Sequence, residues 1–154
     1  MRSWKLTVTF LALSTVATAG SSAGSGVEAD PREPVILSVA EKAWVLQSMR
    51  AHLAALQQIT AGVGGGDLEG ARRAAASMAL SVALSDPARP SSLRARLPAA
   101  WIALVSTMHR EFEGVGEGIQ AHEDASHILA RLGRVTSQCV ACHASYRIEV
   151  QAPG

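Results

Sequence analysis

From Pro34 onward the apolar residues recur in alternating steps of three and four, the spacing with which a helix turns one face to a core. Four such segments can be drawn. The first runs from about Pro34 to Ala61, with Leu46, Met49, Leu53 and Leu56 on one stripe, and Gly62 and the run Gly64-Gly65-Gly66 mark its end. The second starts at Asp67, a natural N-cap, carries Leu68, Ala71, Ala75, Met78 and Val82, and stops before Asp86-Pro87. A linker holding Pro87 and Pro90 leads to the third, from about Pro98 to Ile119, with Trp101, Val105, Met108, Phe112, Val115 and Ile119 as its seam. Gly114, Gly116 and Gly118 are expected to fray its last turns. The fourth, from near Asp124 to about Ile148, aligns Ala125, Ile128, Leu132, Val135, Cys139, Cys142 and Tyr146, so both cysteines continue the core seam. Short connections make consecutive helices antiparallel neighbours, and the expected fold is all-α, an up-down-up-down four-helix bundle. No alternating β-branched run, fixed-period repeat or glycine-rich phosphate loop supports an α/β fold.

Composition agrees, since aromatic residues make up only 4% of the chain and alanine dominates it beyond residue 33. Residues 1–19 carry Arg2 and Lys5, an uncharged apolar run from Leu6 to Ala17, and Ala17-Thr18-Ala19 before Gly20. That layout predicts a cleaved secretory signal peptide, its apolar core being short for a membrane span of ~30 Å. Residues 20–33, GSSAGSGVEADPRE, hold too little apolar surface to offset the entropy of ordering and are expected to form a flexible linker. The domain proper is then 34–150. Loss of the leader leaves twelve basic against thirteen acidic residues, a net charge near −1, which points to no nucleic acid and no anionic membrane. The mature protein is expected to be exported, soluble and periplasmic.

The chemistry lies in Cys139-Val140-Ala141-Cys142-His143. On a helix, positions i, i+3 and i+4 share a face, so two thiols and an imidazole meet on one patch. Covalent haem attachment requires such a patch: the sulfurs form thioethers with the porphyrin and the adjacent His ligates iron. Other readings fit less well. A disulfide within one helix is poorly oriented and closes almost no loop. A CxxC thiol oxidoreductase places its pair at a helix N-terminus in an α/β fold, whereas this pair comes late in a helix. A zinc site needs a fourth ligand, and His52, His109, His122 and His127 show no paired spacing with the motif. No separate acid, base and nucleophile set marks an enzyme.

A C-terminal CxxCH followed by Ala144-Ser145-Tyr146-Arg147, on the last helix of an alanine-rich, four-helix, exported chain, resembles the cytochrome c prime family, the class II c-type cytochromes. The likeness extends from about Val35 to Arg147, and its specific motif lies in the last helix. It implies one haem c between the helices, Cys139 and Cys142 as its attachment points, His143 as proximal iron ligand, often a homodimer, and electron transfer with a redox partner protein. The family divides on the sixth iron position. A methionine of the first helix fills it in electron carriers, which makes Met49 the expected second ligand. An open position under an apolar lid instead binds a small gas such as NO or CO. The plainer reading of Met49 is core packing, because Met78 and Met108 also hold seam positions. His52 and His109 are further ligand candidates, though a solvated or hydrogen-bonded surface histidine is the commoner outcome for each. Arg147 follows His143 by one expected helical turn, and the resemblance places a basic residue there beside the proximal ligand.

Overall fold

Residues 29–152 are described by the structure, a computed structural model. The predicted signal peptide and residues 20–28 of the predicted linker lie outside the described residues. Six helices and two short strands follow: β1 (Glu33–Leu37), α1 (Val39–Gly65), α2 (Leu68–Ser77), α3 (Leu80–Leu84), α4 (Leu93–Arg96), α5 (Ala99–Gln120), α6 (Ala125–Ser145) and β2 (Tyr146–Val150). From Pro31 onward the chain forms one compact, mainly helical unit with a small two-stranded sheet. Among the described residues no helix is long and apolar enough to cross a membrane.

The strands correct two expected helix ends. Residues 33–37 alternate, with Val35 and Leu37 buried and Ile36 turned outward, a period of two in place of a helical start. Pro34 cannot donate to a ladder and sits comfortably on a two-stranded ribbon. At the other end α6 stops at Ser145, and Tyr146 adopts extended backbone. β1 and β2 pair in parallel, with Glu33 opposite Tyr146 and Leu37 opposite Val150, so the segments before α1 and after α6 are clasped side by side. Tyr146 stays in the core, its ring 5.2 Å from Trp101.

Helix α1 opens with a reciprocal capping box, in which Ser38 Oγ accepts from Glu41 N–H and the Glu41 carboxylate accepts from Ser38 N–H at 2.8 Å. Glu41 is only 2% exposed, yet it also accepts from Ser92 Oγ at 2.6 Å and pairs with Arg96 at 3.2 Å. The Ser92 hydrogen bond, aided by the Ser38 N–H and the Arg96 charge, holds its carboxyl below the usual glutamate range. One buried carboxylate thus joins β1, α1 and α4.

The expected stop at Gly62 comes later, at Gly66, which has the left-handed φ of 83° that ends the helix. Gly62 serves another purpose: a Cβ there would lie 2.6 Å from Asp67 O, so its bareness lets α2 approach. Asp67 caps α2 as expected, its carboxylate accepting from Gly70 N–H at 2.9 Å. The long second helix does not materialise, because α2 breaks at Met78 and Ala79 and α3 restarts at Leu80. A break strands backbone groups, and here α5 satisfies them. Glu113 accepts from Leu80 N–H at 2.9 Å, and His109 Nδ1 meets the Met78 carbonyl at 2.7 Å.

Helix α5 runs unbroken to Gln120, against the expected fraying. A Cβ on Gly118 would approach Glu123 Oε2 to 2.7 Å and Arg131 Nε to 2.8 Å, so the bare backbone gives the Glu123–Arg131 ion pair its place. The α5 seam is buried apart from half-buried Val105, and α6 buries Ile128, Leu132, Val135 and Cys142, although Ala125 is exposed. α5 packs along α6, α1 along α2, and α2 against α5, while α1 meets α6 at few points.

Substituting Glu41→Gln is expected to lower stability by about 1.5–3 kcal/mol in urea unfolding at neutral pH, the range for a hydrogen bond to a charged group. Because the native carboxyl titrates low, its contribution is full above the ordinary glutamate range and fades as the pH falls through the depressed native value. The difference between parent and variant should therefore shrink in acid. A difference constant into strong acid would rule out the carboxylate charge as its source.

Candidate functional site

The last two turns of α6 carry Cys139, Cys142 and His143, and all three line a cavity of about 1050 Å³. That is at the upper end of the ~300–1,000 Å³ of small-molecule and cofactor sites. Its walls come from α1, the α3 segment and the connection after it, α5, and the end of α6. Most lining side chains are apolar, among them Leu46, Leu53, Val82, Leu84, Leu104 and Val105.

The placement of the α1 stripe is a correction with consequences. Val45, Ala55 and Ile59 are the fully buried apolar side chains of α1. Of the expected seam, Met49 and Leu56 are half-buried and pack against the core while also lining the cavity, whereas Leu46 and Leu53 line the cavity without joining the core, and Leu53 is 65% exposed. On the opposite wall Val82 and Leu84 are 50% and 53% exposed. Periodicity identifies an apolar face but not what covers it, and among the described residues this one is covered only in part.

Both cysteines are free thiols, Cys142 buried and Cys139 half-buried. Cys139 Sγ lies 3.9 Å from Met108 Sδ and 3.6 Å from the Val135 carbonyl. Burial raises the pKa of both, and with Cys139 nearby it pushes Cys142 up to about 11. A redox-active pair needs the reverse, a stabilised thiolate. His143 is exposed as well as cavity-lining, and its backbone carbonyl accepts from Arg32 Nη1 at 3.4 Å.

Met49 lines the cavity from α1, as do Met78 and Met108 from other walls, so the expected ligand shares the space with the CxxCH patch without being singled out there. Arg147 departs from expectation. Since α6 ends at Ser145, it lies on β2 and shares no helical face with His143. Its guanidinium pairs with Glu149 at 2.8 Å and donates to the Arg32 carbonyl. His52 and His109 are not solvated surface residues. His109 is 6% exposed, and the His52 ring lies 5.0 Å from it and 6.2 Å from Phe112. The four-residue spacing from His109 to Glu113 gave no hint that both support the broken helix opposite.

Sequence reasoning missed the cavity's strap. Trp44 Nε1 donates to Asp86 at 3.1 Å and ties α1 to the segment after α3. Asp86-Pro87 signals a turn but not its partner. Among the described residues no three His, Cys, Asp or Glu side chains converge as a metal cluster, so the zinc alternative gains no further ligand. Comparison with protein-family models, with curated proteins and with solved structures finds no match in any of the three.

With both thiols free, alkylation near neutral pH should be slow at both and slower at Cys142 than at Cys139. Both rates should keep climbing with pH past the point where an ordinary cysteine levels off. Rapid neutral alkylation of Cys142 would contradict the environment described here and revive the thiol-enzyme reading.

Proposed function

We propose that this chain is an exported, periplasmic c-type cytochrome that carries one covalent haem c and serves in electron transfer as a non-enzyme. One observation carries the reading: a buried thiol, a half-buried thiol and an imidazole on one helix face open onto a large apolar cavity whose α1 wall leaves Leu53 largely uncovered by the described residues. Burying a Leu or Val side chain stabilises by roughly 1.5–3 kcal/mol, so Leu53, Val82 and Leu84 represent several kcal/mol that a flat apolar group could recover. The donor set suits the same group, with thiols for thioether bonds and imidazole and thioether for iron. When bound, the haem supplies one-electron cycling between Fe(III) and Fe(II).

The chain's residues divide the work. Cys139 and Cys142 would fix the porphyrin, and their high thiol pKa values favour a permanent covalent role over a reversible redox one. His143 would serve as the proximal ligand. Arg147 and Arg32 brace the backbone that follows it, which makes Arg147 a positioning residue on β2. Met49 would take the sixth position from α1, as the resemblance to cytochromes c prime implies. We read α1, α2, α5 and α6 as the four helices of an up-down-up-down bundle, with α3 and α4 as parts of its middle connection. A redox protein is the expected partner, and a second copy of the chain would complete a homodimer.

Coexpression with a haem-attachment system should give a coloured protein heavier by one haem, with no titratable thiol. A colourless product of unchanged mass would overturn the proposal. In the loaded protein, Met49→Ala should convert a low-spin spectrum indifferent to CO into a high-spin one that CO shifts. A parent already shifted by CO would favour the gas-binding function, and an unaltered low-spin variant would remove Met49 from the iron.

A further inference from the structure

Away from the CxxCH patch the cavity contains a second set of donors. His52 of α1 and His109 of α5 bring their ring centroids to 5.0 Å, with planes at 68°. His109 Nδ1 lies 2.7 Å from the Met78 carbonyl, which can only accept, so the proton sits on Nδ1 and Nε2 keeps its lone pair. Proteins orient a metal-binding imidazole in this way, one nitrogen tied to a carbonyl and the other left free. His52 has ring contacts with His109 and Phe112 and no hydrogen bond among the described residues. No described side chain has a fully buried nitrogen without a partner, and both rings line the cavity.

Two further observations agree. Burial holds both rings below the usual histidine range, His52 at about 4 with His109 as a secondary cause. Both are therefore neutral donors near neutral pH. The ring separation also has a geometric meaning. With a metal–nitrogen distance of about 2.0–2.1 Å, a ring centre stands about 3.2 Å from the ion, and two rings meeting at a tetrahedral angle have centres about 5 Å apart. The observed 5.0 Å is close to that value, and edge-to-face ring packing falls in the same range.

We propose that His52 and His109 form a two-imidazole site for a borderline divalent transition ion, Cu²⁺ or Zn²⁺. Imidazole nitrogens suit such ions and not Mg²⁺ or Ca²⁺. No third His, Cys, Asp or Glu joins the pair among the described residues, so the remaining coordination positions open to the cavity and are available to water or a small ligand. A site with two protein ligands holds its ion more weakly than a closed four-ligand site. The site belongs to the chain before haem enters the shared cavity, and its donors, on α1 and α5, are separate from the thiols of α6.

The test uses the full exported chain carrying Cys139→Ser and Cys142→Ser, which removes the thiols as competing ligands. Titration with Cu²⁺, followed by calorimetry and electron paramagnetic resonance, should show one saturable ion with nitrogen hyperfine structure. His52→Phe and His109→Gln are chosen to preserve bulk or the Met78 hydrogen bond, with folding checked by circular dichroism. Each should weaken binding at least tenfold, whereas His127→Ala on the surface should leave it unchanged. Parent-like affinity in the folded His52 variant overturns the proposal, as does a parent that binds no saturable ion. With both thiols absent, the outcome is independent of whether haem attachment succeeds.

Discussion

The parallel pairing of β1 with β2 is the constraint on which the site's geometry rests. α1 begins one residue after β1 ends, and β2 begins where α6 stops, so the ladder fixes the start of one helix beside the end of another. Those two helices otherwise meet at few points. The apolar side of the ribbon, Val35, Leu37 and Tyr146, packs with Val45, Trp101, Leu93 and Cys142 into one core cluster that forms the floor beneath the CxxCH turn. A second cluster, centred on Phe112, Val115, Ile59 and Val135, holds the far ends of the helices together. Val105 packs against both clusters, and residues of both line the cavity.

The break between α2 and α3 shapes the other wall. A continuous helix would have kept its own hydrogen bonds and run on past α5. Instead two α5 side chains one turn apart, His109 and Glu113, accept responsibility for the carbonyl and amide that the break exposes. The chain can then turn outward, and the strap held by Trp44 and Asp86 brings Val82 and Leu84 round to face α1. His109 thus has two tasks in one ring: a nitrogen that mends the backbone and a nitrogen that faces the cavity.

How much of this could be read from sequence depended on what periodicity encodes. The α5 and α6 seams were clear because both helices bury one face against each other, which is what a three-four pattern reports. The α1 stripe was equally clear as a pattern, but its meaning differed along its length, since nothing in the residues themselves separates Met49 and Leu56, which pack against the core, from Leu46 and Leu53, which line the cavity. β1 had a signal, the alternation of Val35, Ile36 and Leu37, but five residues are too few to outweigh the helical run behind them. Arg147 and Tyr146 could not be assigned to a strand because a parallel partner at the far end of the chain leaves no local trace. The break at Met78 was hidden for a similar reason: its cause lies in side chains about thirty residues away. The cysteines and His143 were legible because their spacing alone fixes them on one helix face.

The clasp between β1 and β2 also bears on when the structure is completed. Arg32 and the carbonyl of His143 meet across 111 residues, whereas α5 and α6 are joined by a turn of a few residues and can zip together locally. Closing the longer loop costs more entropy and returns little until neighbouring elements are in place. The α5–α6 hairpin should therefore form early and the ribbon late in the time course of folding. During that interval the face of α6 bearing the two sulfurs remains uncovered by α1, so a newly made chain offers its thiols to the surroundings before its own fold encloses them.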